Sequence, residues 1–239
     1  MHVSSLLFAN SELLFVWDKA TIEGKLIIGV LLVFSIFAWT VMAQKGIQMR
    51  RAKRLNQYFD TEFQTQKHVM GVFDRRVQVN DCPLYSVYQA GCQQLDGRLR
   101  AAGGEGRKRF VSLKAMEHIK RALEGAVAKE SLRLESGLIL LSIAVSGAPF
   151  LGLLGTVWGV MSAFSYVAMA QKADLATMAP GVSGALITTV AGLLVAIPSM
   201  FGYNYLVNSL RVFTVELDNF AQELVSKMET EYLRDEDEL

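Results

Sequence analysis

The sequence predicts an all-α membrane protein with three transmembrane helices, the second and third extending far into the cytoplasm. Three observations carry that reading. Of the 239 residues, 51% are hydrophobic, more than a soluble domain of this length carries. Three stretches lack charge over a length sufficient to cross a hydrocarbon core about 30 Å thick. Leu26–Gln44 is the first; no Asp, Glu, Lys, Arg or His occurs from Gly137 to Gln171, nor from Leu175 to Leu210. Basic residues then gather on one side of these runs, which places the N-terminus outside the membrane and the C-terminus in the cytoplasm.

Residues 1–20 are apolar but carry Glu12, Asp18 and Lys19, and no positive charge precedes the apolar part as a secretory signal would require. They read as a periplasmic, interfacial amphipathic segment with Trp17 near the headgroups. Residues 21–63 form the first transmembrane helix and its cytoplasmic extension. The flank KGIQMRRAKR, with Lys45, Arg50, Arg51, Lys53 and Arg54, fixes its inner end, and Asn56 to Phe73 reads as its continuation. Residues 64–109 form a cytoplasmic helical region, in which Pro83 opens a helix through Leu99. The stretch AAGGEGRKRF breaks the chain, and its basic run Arg107–Arg109 reads as a solvated loop.

From Val111 to Glu135 the spacing Leu113, Met116, Ile119, Ala122, Leu123, Ala126 marks an amphipathic helix face. The sequence predicts one long helix over 110–171 that contains the second span. A periplasmic loop follows at 172–180, and the third span with its cytoplasmic extension occupies 181–233. The tail 234–239 is acidic. Pro149 and Pro198 fall within the second and third spans and are candidate helix kinks.

Several function classes are excluded by composition. The net charge of +1 leaves no basic excess to neutralise nucleic-acid phosphates. Cys82 and Cys92 lack a second pair and lack histidines at ligand spacing, so they read as reduced, semi-buried packing residues rather than a metal site. No paired carboxylates, activated nucleophile or phosphate loop marks an enzyme, and no cofactor is implied.

The two later spans carry a seam of small and hydroxylated residues. Ala148, Gly152, Thr156, Gly159 and Ala163 step by three or four along one face of the second span. Ala185, Thr189, Gly192 and Ala196 do the same on the third. Small residues let helices approach closely in lipid, so Gly152, Gly155, Gly159, Ala185, Gly192 and Ala196 are assigned to helix packing. For Thr156 and Thr189 two readings stand: packing, or a hydroxyl lining a passage for protons or water.

The stretches GLLGTVWGVMSAF (Gly152 to Phe164) and MAPGVSGALITTVAGLLVAIPSMFGYN (Met178 to Asn204) resemble the two signature spans of the ExbB/TolQ/MotA proton-channel family, most of all its ExbB/TolQ branch. FSIFAWTVMAQK in the first span and LDNF after the third are similar to the TolQ side. The resemblance is specific over Ala148 to Asn204. It implies a motor subunit of the bacterial inner membrane, a homo-oligomer of five copies set in lipid around an ExbD- or TolR-like single-span partner. Proton flow would then drive work on a TonB- or TolA-like protein spanning the periplasm. It also implies pore-lining threonines at Thr156 and Thr189.

One departure matters. Where the family commonly carries a glutamate in its third span, this sequence has Gly184. The spans then offer hydroxyls at Thr156, Thr188, Thr189 and Ser183, beside Gly184, but no carboxylate. A proton crossing lipid needs a titratable carrier or continuous water. The partner is therefore expected to supply an intramembrane Asp, with these threonines orienting water around it. The competing reading, to which the emptied Gly184 lends weight, is a non-conducting membrane scaffold or assembly factor.

Overall fold

In the computed structural model, residues 22–76, 79–101, 110–170 and 175–233 are described. Six helices account for nearly all of them: α1 (Ile22–Gln64), α2 (Gly71–Asp74), α3 (Pro83–Ala101), α4 (Leu113–Glu135), α5 (Leu138–Ala170) and α6 (Leu175–Tyr232). No strand occurs among the described residues; an isolated parallel bridge joins Val111 to Leu233. Three helices, α1, α5 and α6, are long and apolar enough to cross a membrane.

The chain divides into two compact units. The first comprises residues up to Gln44 together with Gly137–Tyr205, and so holds the apolar part of α1, all of α5 and the apolar part of α6. Its centre is thin: Ile27, Leu31, Ala148, Val195 and Ala196 are buried together. Its outward face is formed of large apolar side chains, among them Leu32, Ile36, Phe37, Phe150, Val157, Leu194 and Phe201. Water would penalise such a surface at roughly 25 cal/mol per Å², whereas lipid tails match it.

The second unit comprises Lys45–Ser136 and the chain from Leu206 onward. Here the burial is that of a soluble core. Phe59 and Phe63 of α1, Tyr85 and Tyr88 of α3 and Phe220 of α6 form one aromatic cluster, with ring centroids 5.2 Å (Phe63–Phe220) to 6.3 Å (Phe59–Phe63) apart. Such pairs contribute about 0.5–1.5 kcal/mol each beyond their buried area. The Tyr88 hydroxyl donates to the Val69 carbonyl (2.7 Å) and accepts from the Phe73 amide (2.9 Å), fastening the segment around α2 to α3. Leu123 of α4 and Leu224 of α6 close over Gly91. Cys82 and Cys92 are both free thiols and completely buried, deeper than the semi-buried placement expected.

The helix ends follow from local chemistry. Ser112 caps α4, its hydroxyl accepting from the Ala115 amide at 3.3 Å. Asn56, buried on α1, caps α3: its Oδ1 accepts from the Leu84 amide at 3.2 Å. Lys45 Nζ, also buried, donates to the Leu134 carbonyl in the last turn of α4 at 3.1 Å.

Four boundaries differ from the sequence expectation. The single helix expected over 110–171 is two helices, because Ser136 turns extended (ψ 134°) and Gly137 adopts φ 86°, a left-handed conformation that glycine alone enters without steric cost. α4 starts at Leu113 because Ser112 caps it and Val111 pairs with Tyr232 through its amide. The continuation of α1 stops at Gln64 instead of running to Phe73. α6 begins at Leu175, so part of the expected 172–180 loop is helical and Pro180 lies inside the helix, where it removes a single backbone hydrogen bond. The expected interfacial segment 1–20, the basic run Arg107–Arg109 and the acidic tail lie outside the described residues.

Candidate functional site

The site is built where α5 meets α6 in the first unit. Leu138, Leu141, Ala144, Ala148, Gly152, Gly155 and Gly159 form the buried face of α5. The facing surface of α6 buries Gly184, Ala185, Thr188, Gly192, Val195, Ala196 and Ser199. Along the contact the backbones nearly touch. A Cβ placed on Gly152 would lie 2.9 Å from the Thr188 carbonyl oxygen, and one on Gly192 would lie 2.6 Å from that of Ala148. At Gly155 it would strike the Thr188 hydroxyl, and at Gly159 it would come 2.6 Å from the Ala185 Cβ. Glycine is required at these positions because any side chain would drive the helices apart.

Around this contact two threonines, Thr188 and Thr189, meet the Gly152 carbonyl, and a third, Thr156, stands beside them. Thr188 Oγ1, fully buried, shares its proton between the Gly152 carbonyl across the interface (3.0 Å) and the Ala185 carbonyl of its own helix (2.7 Å). Thr189 Oγ1 donates to the same Gly152 oxygen at 3.2 Å. Thr156 Oγ1 donates to the Leu153 carbonyl at 2.7 Å and stands 3.5 Å from Thr189 Oγ1. Thr156 and Thr189 keep part of their surface open, and they are the hydroxyl pair at the margin of the seam.

This geometry separates residues that spacing alone had grouped. The buried face of α5 runs through Gly155, one position before Thr156, and that of α6 through Thr188, one position before Thr189. Thr188, expected among the pore-lining residues, has no exposed surface in the chain and is committed to helix–helix hydrogen bonding. Gly184 is likewise buried, while Ser183 is exposed. The six residues assigned to packing, Gly152, Gly155, Gly159, Ala185, Gly192 and Ala196, are all buried in this unit. Pro149 and Pro198 lie inside α5 and α6, which continue through them.

The sequence reading did not identify the Gly152 carbonyl as the acceptor that organises the threonines. It also passed over Gly202, where a Cβ would collide with the Met42 sulfur of α1. A backbone oxygen leaves no signature in side-chain patterns. Gly202 was legible in principle as a third small position beyond Gly192 on α6.

The hydroxyl protons of Thr156 and Thr189 are both engaged by backbone carbonyls. Each oxygen then presents lone pairs to its open side, so the pair accepts hydrogen bonds rather than donating them. An acceptor pair suits water, or a hydrated proton, whose hydrogens point toward it. Neither threonine can carry the proton itself, and no acidic or basic side chain lies between Leu138 and Ala170 or between Leu175 and Leu210.

Among the described residues no group of His, Cys, Asp or Glu is placed to hold a metal.

Comparison with known proteins places this seam within a recognised pattern. The MotA/TolQ/ExbB proton channel family matches residues 85–219, from α3 into the second half of α6. The Tol-Pal system protein TolQ of Pseudomonas aeruginosa is 35% identical over 191 residues, covering 78% of this chain and 79% of the relative. The protein of the same name from Haemophilus influenzae is 31% identical over 214 residues, 87% of this chain and 90% of its own. The biopolymer transport protein ExbB of Xanthomonas campestris is 41% identical over a shorter 113 residues, 47% of this chain and 45% of the relative.

Proposed function

We infer the function from one premise: this chain belongs to the MotA/TolQ/ExbB proton channel family, whose members serve energy transduction in membranes. The chain is a stator subunit of the bacterial inner membrane, with its N-terminus outside and its C-terminus in the cytoplasm. Five copies ring the transmembrane helices of a partner similar to ExbD or TolR. Protons descend between ring and partner, and the resulting motion is passed to a periplasm-spanning protein similar to TonB or TolA. The chain itself performs no covalent chemistry.

The observation that carries this reading is the Thr156–Thr189 hydroxyl pair, set in two apolar stretches, Leu138–Ala170 and Leu175–Leu210, that contain no acid. A charge in hydrocarbon is costly, so the carrier must be a carboxylate elsewhere or a continuous water path. The partner supplies an intramembrane Asp. The threonine oxygens, their own protons tied to Leu153 and Gly152, accept from the water that hands protons to that Asp. The tight glycine seam holds the two hydroxyls in register.

The test is Thr156→Val and Thr189→Val in the assembled complex, reconstituted in vesicles under a pH gradient. Valine preserves shape and removes the acceptor. Loss of proton uptake in each variant, with the complex still copurifying intact, is the expected result. Full uptake in both would overturn the role of the pair. Absence of uptake in the wild-type complex, with the partner's Asp present, would favour a non-conducting scaffold.

A further inference from the structure

One face of α1 changes character along its length. Lys45, Met49, Ala52, Asn56 and Phe59 are buried, so they mark the inward face of this continuous helix. The opposite face carries Ile36, Ala43, Ile47, Arg51 and Arg54, all exposed, with Arg50 at its edge. It is apolar as far as Ile47 and basic thereafter. No acidic residue occurs from Leu26 to Phe59. Apolar surface exposed in this way suits lipid, so its end at Ile47 marks the hydrocarbon boundary, beyond which the headgroup layer is about 5–7 Å deep. Arg50, Arg51 and Arg54 follow Ile47 by about 4.5, 6 and 10.5 Å along the axis. The first two lie within that layer, and the long side chain of Arg54 can reach back into it. A basic excess beside a span fixes a number of charges and not a face. Here the three arginines stand on the lipid side, whereas Lys45 is buried and Lys53 lines a groove with Glu216 and Phe220 of α6.

A second wall comes from α4. Asp81, held at φ 61° just before α3, stands 3.5 Å from the Arg51 guanidinium and 3.0 Å from that of Arg133, in the last turn of α4. One carboxylate thus gathers two guanidiniums from different helices, and both remain half-exposed or more. Arg133 also reaches Glu130, at 3.4 Å. Arg51 has further N–H donors to offer, and Arg50 and Arg54 have no ion-pair partner among the described residues. Guanidinium forks match pairs of phosphate oxygens, and their charge favours a ligand that is negative overall. A zwitterionic headgroup would bring its own cation against the arginines. A free phosphate would gain nothing from Ile47, whereas a phospholipid lays its acyl chains along the apolar face that Ile47 ends.

We propose that Arg50, Arg51 and Arg54, with Arg133 beside them, bind the phosphate of an anionic phospholipid such as phosphatidylglycerol. That this lipid belongs to the cytoplasmic leaflet rests on the topology proposed above; the headgroup preference does not.

The experiment uses the full-length chain in nanodiscs holding equal amounts of phosphatidylglycerol and phosphatidylcholine, with native mass spectrometry counting the lipids that stay bound on release. The wild type should retain phosphatidylglycerol in preference. The triple variant Arg50→Gln/Arg51→Gln/Arg54→Gln should lower that preference roughly tenfold. Lys114→Gln/Lys120→Gln/Arg121→Gln, which removes as many charges from exposed positions of α4, should leave it unchanged. A diazirine side chain in place of Ile47, in the otherwise unaltered chain, should crosslink to phosphatidylglycerol more than to phosphatidylcholine; this arm decides alone if the glutamine variant does not insert. Equal retention or equal crosslinking of the two lipids, equal loss in the two triple variants, or capture of a second copy of this chain at position 47 would overturn the proposal. Both leaflets of a nanodisc carry both lipids, so the preference is read whatever the orientation of the chain. Proton uptake by the assembled complex is measured separately: uptake without a lipid preference sinks this inference alone, and a lipid preference without uptake sinks the proton path alone.

Discussion

At Gly155 a single methyl group decides whether α5 and α6 can meet, because its Cβ would enter the space of the Thr188 hydroxyl, itself trapped between the Gly152 and Ala185 carbonyls. Gly155→Ala should therefore destabilise the first unit by about 1–3 kcal/mol, as overpacked interiors do. Gly147→Ala, on the same helix with open space around it, should be neutral or slightly stabilising, since alanine is the better helix former. Thermal unfolding in detergent reads the difference. The neighbouring threonines make a sharper pair. Thr188→Val should lower stability by about 0.6–1.7 kcal/mol through a lost interhelical hydrogen bond, leaving proton uptake in place. Thr189→Val should instead abolish uptake at modest cost in stability. Identical phenotypes would mean that the two hydroxyls are not divided between packing and passage. Spacing could not make this division in advance: consecutive residues differ by about 100° around a helix, and both lie close enough to the seam to read as members of it.

Gly137 sets the boundary between α4 and α5. Its φ of 86° carries the chain out of one helix and into the next, with the Ser136 amide closing the last turn on the Leu132 carbonyl at 3.0 Å. Any residue with a Cβ meets its own carbonyl there, so Gly137→Ala should cost about 1–2 kcal/mol and Gly137→Asn less. Equal melting temperatures for wild type and Gly137→Ala would show that the two helices can merge without strain. The apolar spans were legible because length and absence of charge are one-dimensional properties. So was the start of α3, since proline marks a first turn. The break at Gly137 was not, since a lone glycine between helix formers is read equally well as interior. The cap of α3 was hidden for a different reason: its acceptor, Asn56, stands 28 residues earlier on another helix, and only the folded core of the second unit brings them together.

On the scale of the whole chain, the two units face different solvents, and the second can be probed through its thiols. Cys82 and Cys92 are fully buried beside the aromatic cluster of Phe59, Phe63, Tyr85, Tyr88 and Phe220. Burial pushes the Cys82 thiol up to about 11 from an ordinary value near 9, and pushes the Tyr88 phenol up as well. Both groups are favoured in their neutral, protonated forms in the folded state. Their contribution is complete below the unfolded value of the thiol and disappears as pH rises from about 9 toward 11, because the unfolded chain releases the proton that the folded chain retains. The second unit should accordingly lose stability along an alkaline limb that begins near pH 9, by up to about 3 kcal/mol for the thiol. Cys82→Ser would leave a buried hydroxyl, so Cys82→Ala is the better variant: it should shift the onset of that limb upward, toward the titration of the tyrosines. At pH 8, labelling of both thiols by a disulfide reagent should be negligible in native conditions and should appear in step with loss of helical circular dichroism on denaturation. Rapid labelling of the native chain would mean that the core around Tyr88 opens locally, and that the second unit is not held as one packed body.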